Sequence, residues 1–302
     1  YPQDIEITDL KGELGTKGHV LVVRGDKAYR DKLKEVSLPE NLANPKFWLY
    51  ENLLKSKRVQ EAMKKAQKKA LFDGVGFSAL EALGFHANIN NRRAVAVMAH
   101  ELLPDPEVFE RYDIEVINAD EETDGFGEEG YVNVQARIIR EREDIIPLHQ
   151  ALYGAQALAP IGNKVVSKLE ELCIVPDATL WCIASGSNLY GIGRKVKQRF
   201  PKTQTIVVEP RVNITIDASL NLKNPRQVKS FSRGKLRHYS LNGWDKHHSG
   251  IFPLHVSGAN RYLLLLWEAT GNIGFDKVVH IPPTEVLETQ RMLKEVDRDY
   301  DW

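Results

Sequence analysis

The segment 180–208 constrains the fold of this 302-residue chain more than any other part of it. A short apolar run leads into a small polar turn at 184–188, an amphipathic stretch and a second apolar run at 205–208. This order predicts strand, turn, helix and parallel strand, because parallel strands need a crossover connection of a dozen or more residues. Other short apolar runs alternate with helical patterns along the chain. We therefore expect an α/β protein with mostly parallel sheets covered by helices on both faces.

The helical and strand patterns outside this segment are less distinct. Apolar runs at 20–23, 47–50, 94–98, 114–117 and 277–280 predict strands. Helices are predicted over the remaining periodic stretches, at 53–71, 78–87, 104–111, 164–172, 189–200, 260–269 and 284–295. An acidic loop at 120–131 and an irregular basic segment at 211–259 complete the chain.

The composition excludes several classes of protein. The 41 lysines and arginines balance 41 acidic residues, so no net charge attracts a nucleic acid. The longest apolar run, 262–267, is much shorter than the ~20 residues of a membrane span. The two cysteines, Cys173 and Cys182, form no disulfide framework, and neither they nor the histidines at 247–248 have the spacing of a metal site. We expect a cytoplasmic protein that binds no membrane, no nucleic acid and no metal.

The turn at 184–188 is a candidate anion site. A turn between a strand end and a helix start exposes backbone N–H groups, and the helix dipole adds positive charge there. Gly186 allows close approach of a ligand to the backbone, and Ser185, Ser187 and Asn188 offer side-chain hydrogen bonds. A bound phosphate accounts for these residues. An ordinary turn that caps its helix accounts for them as well, and both interpretations stay open.

Residues 184–194, followed by Ile-Val-Val-Glu-Pro at 206–210, resemble the fold-type II pyridoxal-phosphate enzymes. This group contains cysteine synthase, threonine synthase and the tryptophan synthase β chain. The resemblance implies a two-lobed, three-layer αβα fold and pyridoxal phosphate as cofactor. The smaller lobe would span 72–158, and the larger lobe would combine 1–71 with 159–302.

The same resemblance implies the roles of individual residues. Gly186, Ser187 and Asn188 would hold the cofactor phosphate. The loop containing Gly76 and Ser78 would bind the substrate carboxylate and the ring oxygen of the cofactor. The lysine that binds the cofactor aldehyde would be Lys55, with Lys57 as the second candidate. Because other lysines and Arg58 share this stretch, a solvated basic helix face is the alternative interpretation of both.

The function implied by the resemblance is β- or γ-elimination or replacement on a small amino acid, carried out by a homodimer. A catalytically inactive relative with a structural or partner-binding role is the alternative hypothesis. It is motivated by a shortened lysine loop and by Phe77, which stands where the family has asparagine. A third hypothesis is an enzyme of the same fold that binds a different phosphate ligand at 184–188.

Overall fold

The computed structural model describes residues 5–25, 45–65, 69–99, 111–119, 131–182, 186–210 and 275–281. The strands are β1 (Ile7–Asp9), β2 (Leu21–Val23), β3 (Ala70–Gly74), β4 (Ala94–Ala99), β5 (Ile114–Ala119), β6 (Ile145–Pro147), β7 (Ala178–Cys182), β8 (Gln204–Pro210) and β9 (Lys277–Ile281). The helices are α1 (Pro45–Lys55), α2 (Lys57–Lys65), α3 (Phe77–Ile89), α4 (Tyr131–Glu141), α5 (Gln150–Glu171) and α6 (Arg194–Arg199), and a π-helical segment, Leu189–Gly193, leads directly into α6.

The strands form two parallel sheets and one antiparallel hairpin. One sheet has the order β5-β4-β3-β6, the other has the order β7-β8-β9, and β1 pairs with β2 in the hairpin. The predicted α/β fold of αβα type with parallel sheets is therefore confirmed. The strands predicted at 94–98, 114–117, 205–208 and 277–280 are all present. The lobe boundaries stay a prediction; α5 runs without interruption through the proposed boundary at 158.

The prediction of a strand at 47–50 is wrong, because these residues lie inside helix α1. Pro45 occupies the first helical position, where its fixed φ and missing N–H are tolerated. The helix packs between α3 and α5, so its buried residues surround the axis instead of forming one stripe. A helix buried on all sides has a continuous apolar run, which periodicity alone cannot distinguish from a buried strand.

The helix predicted over 53–71 is wrong in its limits. The chain interrupts the helix at Ser56, whose Oγ donates to the carbonyl of Leu53 at 2.5 Å, and α2 then ends at Lys65. Ala70 and Leu71, taken as the end of that helix, begin strand β3. All five residues of β3 are buried because β4 and β6 pair with it on its two sides. Tertiary pairing thus overrides the helical propensity of alanine and leucine.

Several predicted segments lie outside the described residues, and several observed elements were not predicted. The predicted acidic loop, the basic segment 211–259 and the helices at 260–269 and 284–295 are outside the described part, as is Ser185. Sequence patterns missed α4, β6 and the first half of α5. Among the helices that the structure describes, none is both long enough and apolar enough to cross a membrane.

Candidate active site

Four side chains from three elements meet beside the first turn of α5, and we call them the Lys46 cluster: Lys46, Tyr50, Asp73 and Gln150. The Nζ of Lys46 donates to the side-chain oxygen of Gln150 at 3.0 Å. The Gln150 backbone N–H donates to Asp73 Oδ2 at 3.0 Å, and the Tyr50 hydroxyl donates to the same oxygen at 3.2 Å. The cluster lies at the carboxyl end of β3, where open α/β sheets commonly bind ligands.

Asp73 is a buried carboxyl at a helix amino terminus. Its side chain also accepts the N–H of Gly74 at 2.9 Å. Burial raises the pKa of Asp73 to about 7, against the opposing effects of these hydrogen bonds and of the Lys46 charge. The dipole of α5 favours the ionised form. Asp73 therefore combines near-neutral titration with a fixed position.

Lys46 is a half-buried amine in the first turn of α1. Burial lowers the pKa of Lys46 to about 8, while the charge of Asp73 acts in the opposite direction. The positive end of the α1 dipole also disfavours the ammonium form. An amine must be neutral to attack a carbonyl, so this environment suits a nucleophilic lysine.

Helices α1 and α5 run side by side in the same direction, which brings the turn at 186–188 near the Lys46 cluster. Lys46 contacts Gln150, and the Asn52 amide donates to the carbonyl of Ala157 at 2.7 Å. Between these contacts, Ser187 lies against Gly154. Gln150 and Gly154 are one helical turn apart on one face of α5, a separation of about 6 Å. The Lys46 cluster and the predicted phosphate turn therefore contact the same face of α5.

The turn at 186–188 has a conformation that depends on glycine. Gly186 has a φ of 76°, which L-residues with a side chain rarely adopt. Its carbonyl accepts the N–H of Tyr190 at 3.0 Å, so the helical segment begins directly after the turn. Ser187 is buried, whereas Asn188 is exposed. The geometry is compatible with an anion at the backbone and Asn188, with Ser187 turned toward α5.

Gly154→Ala is expected to destabilise the protein by about 1–3 kcal/mol, because it forces the turn away from α5. An added Cβ would lie 2.3 Å from Ser187 Oγ and 2.9 Å from its Cβ. Urea unfolding measures the change. Gly18→Ala is the control, since its Cβ would meet no atom within 4 Å, and it should change stability by less than about 0.5 kcal/mol. Equal stability of the two variants would contradict the packing described here.

The loop around Gly76 leads from β3 into α3. Gly76 precedes the first turn of α3, which no side-chain hydrogen bond caps at that position. A Cβ at Gly76 would meet no atom of the described residues within 4 Å, so among them space is open beside this helix terminus. The Ser78 side chain is outside the described part. The predicted role of this loop in binding a carboxylate stays a prediction that this open terminus supports.

Of the predicted cofactor lysines, Lys55 is the last residue of α1, at the other end from Lys46, and Lys57 is the first residue of α2. Lys55 follows Lys46 by nine positions, about 13.5 Å along the helix axis. Lys55 pairs with Glu51 at 2.7 Å and is about half exposed, and Lys57 is 91% exposed. The structure does not bring either residue to the Lys46 cluster. Their roles stay predictions, and the described geometry favours Lys46.

Sequence reasoning missed Lys46, Asp73 and Gln150 as functional candidates. Because 47–50 was predicted as a strand, Lys46 fell in the polar, partly helical stretch before it and not in the same helix as 47–50. The proline before it was a usable signal, because proline favours the first turn of a helix. Asp73 interrupts an otherwise apolar run at 70–75, and a carboxyl in a buried strand needs partners. Together these two features indicate a lysine at a helix start and a buried carboxyl.

Other candidate chemistry in the described part is limited. Cys173 and Cys182 are exposed free thiols. No group of three or more histidine, cysteine, aspartate or glutamate side chains that could hold a metal ion occurs among the described residues. The predicted histidine-containing segment lies outside them.

Comparison with known proteins identifies the fold. No known family and no curated protein matches the sequence. O-acetylserine sulfhydrylase isoform 3 from Entamoeba histolytica has a similar structure, with a TM-score of 0.60, 12% identity, and coverage of 98% of this chain and 76% of that one. The O-acetylserine-dependent cystathionine β-synthase from Helicobacter pylori gives a TM-score of 0.58 at 16% identity, covering 85% and 72%. A hydrogen sulfide-producing enzyme from Fusobacterium nucleatum gives 0.52 at 15% identity, covering 83% and 71%.

These neighbours are fold-type II pyridoxal-phosphate enzymes, so the fold implied by the sequence resemblance is confirmed. At 12–16% identity the likeness establishes the fold alone. Function must therefore be argued from the residues of the site.

Proposed function

We propose that this protein binds pyridoxal phosphate, with the phosphate at the turn 186–188 and the aldehyde at Lys46. The observation that carries the proposal is that both parts of the site contact one face of α5. Lys46, whose pKa is lowered, contacts Gln150, and Ser187 of the 186–188 segment lies against Gly154, one helical turn further along. The open space at Gly76 provides room on the substrate side. Lys55, followed by Lys57, is the alternative attachment point within the same proposal.

We propose further that the substrate is a serine whose hydroxyl carries a leaving group, processed by β-elimination or β-replacement. The structural neighbours include two proteins named for O-acetylserine and an O-ureido-L-serine synthase, which supports this choice over γ-chemistry. The substrate carboxylate would bind at the amino terminus of α3 beside Gly76, where backbone N–H groups meet an anion.

The residues of this chain would divide the work as follows. Lys46 would hold the cofactor and then move the α-proton of the substrate, a task that suits an amine titrating near neutrality. The bound cofactor supplies an electron sink for the α-carbon. Gly186 and Asn188 would orient its phosphate, and Gln150 would hold the Lys46 amine in place through the 3.0 Å hydrogen bond. We retain a homodimer in the cytoplasm as part of the proposal.

The test is to mix purified protein with pyridoxal phosphate, record near-visible absorbance, reduce with borohydride and map the labelled lysine by mass spectrometry. Attachment to Lys46 supports the proposal. Attachment to Lys55 or Lys57 supports the cofactor but moves the site to the other end of α1. Label scattered over exposed lysines, with no absorbance band, would overturn the proposal and favour the inactive relative.

A further inference from the structure

We propose that Asp73 is a positioning residue for Lys46. Its carboxylate fixes the first turn of α5, through which Gln150 holds the Lys46 amine, and its negative charge stabilises the ammonium form of that amine. The inference rests on the proposed function for its biological meaning. Its physical content concerns residues of this chain alone and can be tested without cofactor.

The mechanical part of the inference follows from the hydrogen bonds. The Gln150 backbone N–H donates to both oxygens of Asp73, at 3.0 and 3.3 Å. The Gln150 side-chain Nε2 donates to the carbonyl of Gly74 at 2.8 Å, and its Oε1 accepts a hydrogen bond from Lys46 Nζ at 3.0 Å. Gln150 is therefore fixed at three points, two of them at the end of β3. A fixed acceptor restricts the rotamers that Lys46 can adopt, as catalytic positioning requires.

The electrostatic part follows from what surrounds the two groups. The titratable groups near Lys46 are Tyr50 on the same helix, α1, and Asp73 on β3. On α3, His86 Nε2 lies 2.8 Å from the carbonyl of Phe47, the next residue along. Before α5 stands His149, beside Arg58 of α2. Of these groups, Asp73 acts on the Lys46 ammonium through charge attraction, opposing the effect of burial.

Tyr50 and the amino terminus of α5 keep Asp73 able to ionise despite its burial. Tyr50 donates to Oδ2, and the N–H groups of Gly74 and Gln150 donate to the carboxylate. Hydrogen bonds of this kind favour the charged form of a carboxyl. Removing the Asp73 charge should leave Lys46 neutral over a wider pH range. Removing only the Tyr50 hydroxyl should widen this pH range as well, but by less.

The experiment measures the acetylation rate of Lys46 by acetic anhydride against pH, by mass spectrometry, on the full chain without cofactor. Asp73→Asn keeps the shape and one of the two acceptor oxygens while removing the charge, and we expect the Lys46 midpoint to fall by about 0.5–1 pH unit. Tyr50→Phe should shift it less, in the same direction. Asp177→Asn, at an exposed position, is the matched control and should leave the midpoint unchanged.

An unchanged midpoint in both Asp73→Asn and Tyr50→Phe would overturn the inference, and if Asp73→Asn does not fold, Tyr50→Phe decides alone. If Asp73 has a structural role only, Asp73→Asn would lower thermal stability without changing the pH midpoint of Lys46 acetylation. If the midpoint shifts but wild-type protein takes no pyridoxal phosphate, the proposed function fails and the Asp73–Lys46 coupling stands. If the cofactor attaches at Lys46 and the midpoint does not shift, the proposed function stands and the Asp73–Lys46 coupling fails.

Discussion

Lys46→Met is expected to abolish attachment of pyridoxal phosphate, leaving neither an absorbance band nor a reducible adduct in the 186–188 site. Methionine matches the length and apolar bulk of the lysine stem but has no amine to attack the aldehyde. The Lys46 amine lies beside the first turn of α5 through its 3.0 Å hydrogen bond with Gln150. Absorbance titration and mapping of the borohydride-reduced protein measure the loss.

Two matched controls accompany this variant. Lys55→Met and Lys57→Met remove the amines at the end of α1 and at the start of α2, and both variants should retain the band. Circular dichroism establishes that Lys46→Met is folded. Retention of the adduct in Lys46→Met together with its loss in Lys55→Met would contradict the assignment. That outcome would restore the attachment point that the sequence resemblance implied.

The strand–turn–helix unit at 180–208 could be predicted from the sequence because its signals are local. Glycine and serine at the turn, apolar strands and an amphipathic connection identify it without tertiary information. Strand β4 is similarly evident, since a parallel strand covered on both faces is a short continuous apolar run. The α/β class with parallel sheets followed from these units, whereas the division into two lobes came from the family resemblance.

Helix α1 and strand β3 could not be predicted in the same way, because their neighbours decide them. Phe47 packs edge-on against Phe85 of α3, with ring centroids 5.2 Å apart, while Leu49 faces Gly154 of α5. Burial on opposite sides removes the polar stripe that marks a surface helix. Ala70 and Leu71 become strand residues through pairing with β4 and β6, which are distant in sequence.

Of the two parts of the proposed site, the sequence indicated only the turn. The turn around Gly186 was identified from its residue types, and its positive φ agrees with the glycine there. The lysine depends on long-range contacts: Lys46 and Gln150 are 104 residues apart in sequence. The lowered pKa arises from burial that no local pattern records. A lysine at the start of an apolar run is a candidate only once that run is known to be a buried helix.

Leu49→Ala is expected to lower the free energy of unfolding by about 2–5 kcal/mol, because it removes a fully buried side chain from the interface between α1 and α5. Leu49 is 1% exposed, and it approaches the same glycine as Ser187 does. The surrounding helices are held by other contacts, such as the Asn52 hydrogen bond, so the cavity cannot collapse completely. Urea unfolding followed by circular dichroism gives the change.

Leu180→Ala makes the same chemical change at a side chain that is 67% exposed, so it should cost less than about 1 kcal/mol. The pair tests the deep burial of Leu49 between α1 and α5, since the same truncation is made once at a buried and once at an exposed side chain. Equal losses at Leu49 and Leu180 would contradict the packing of α1 against α5, and with it the basis for placing Lys46 beside Gln150.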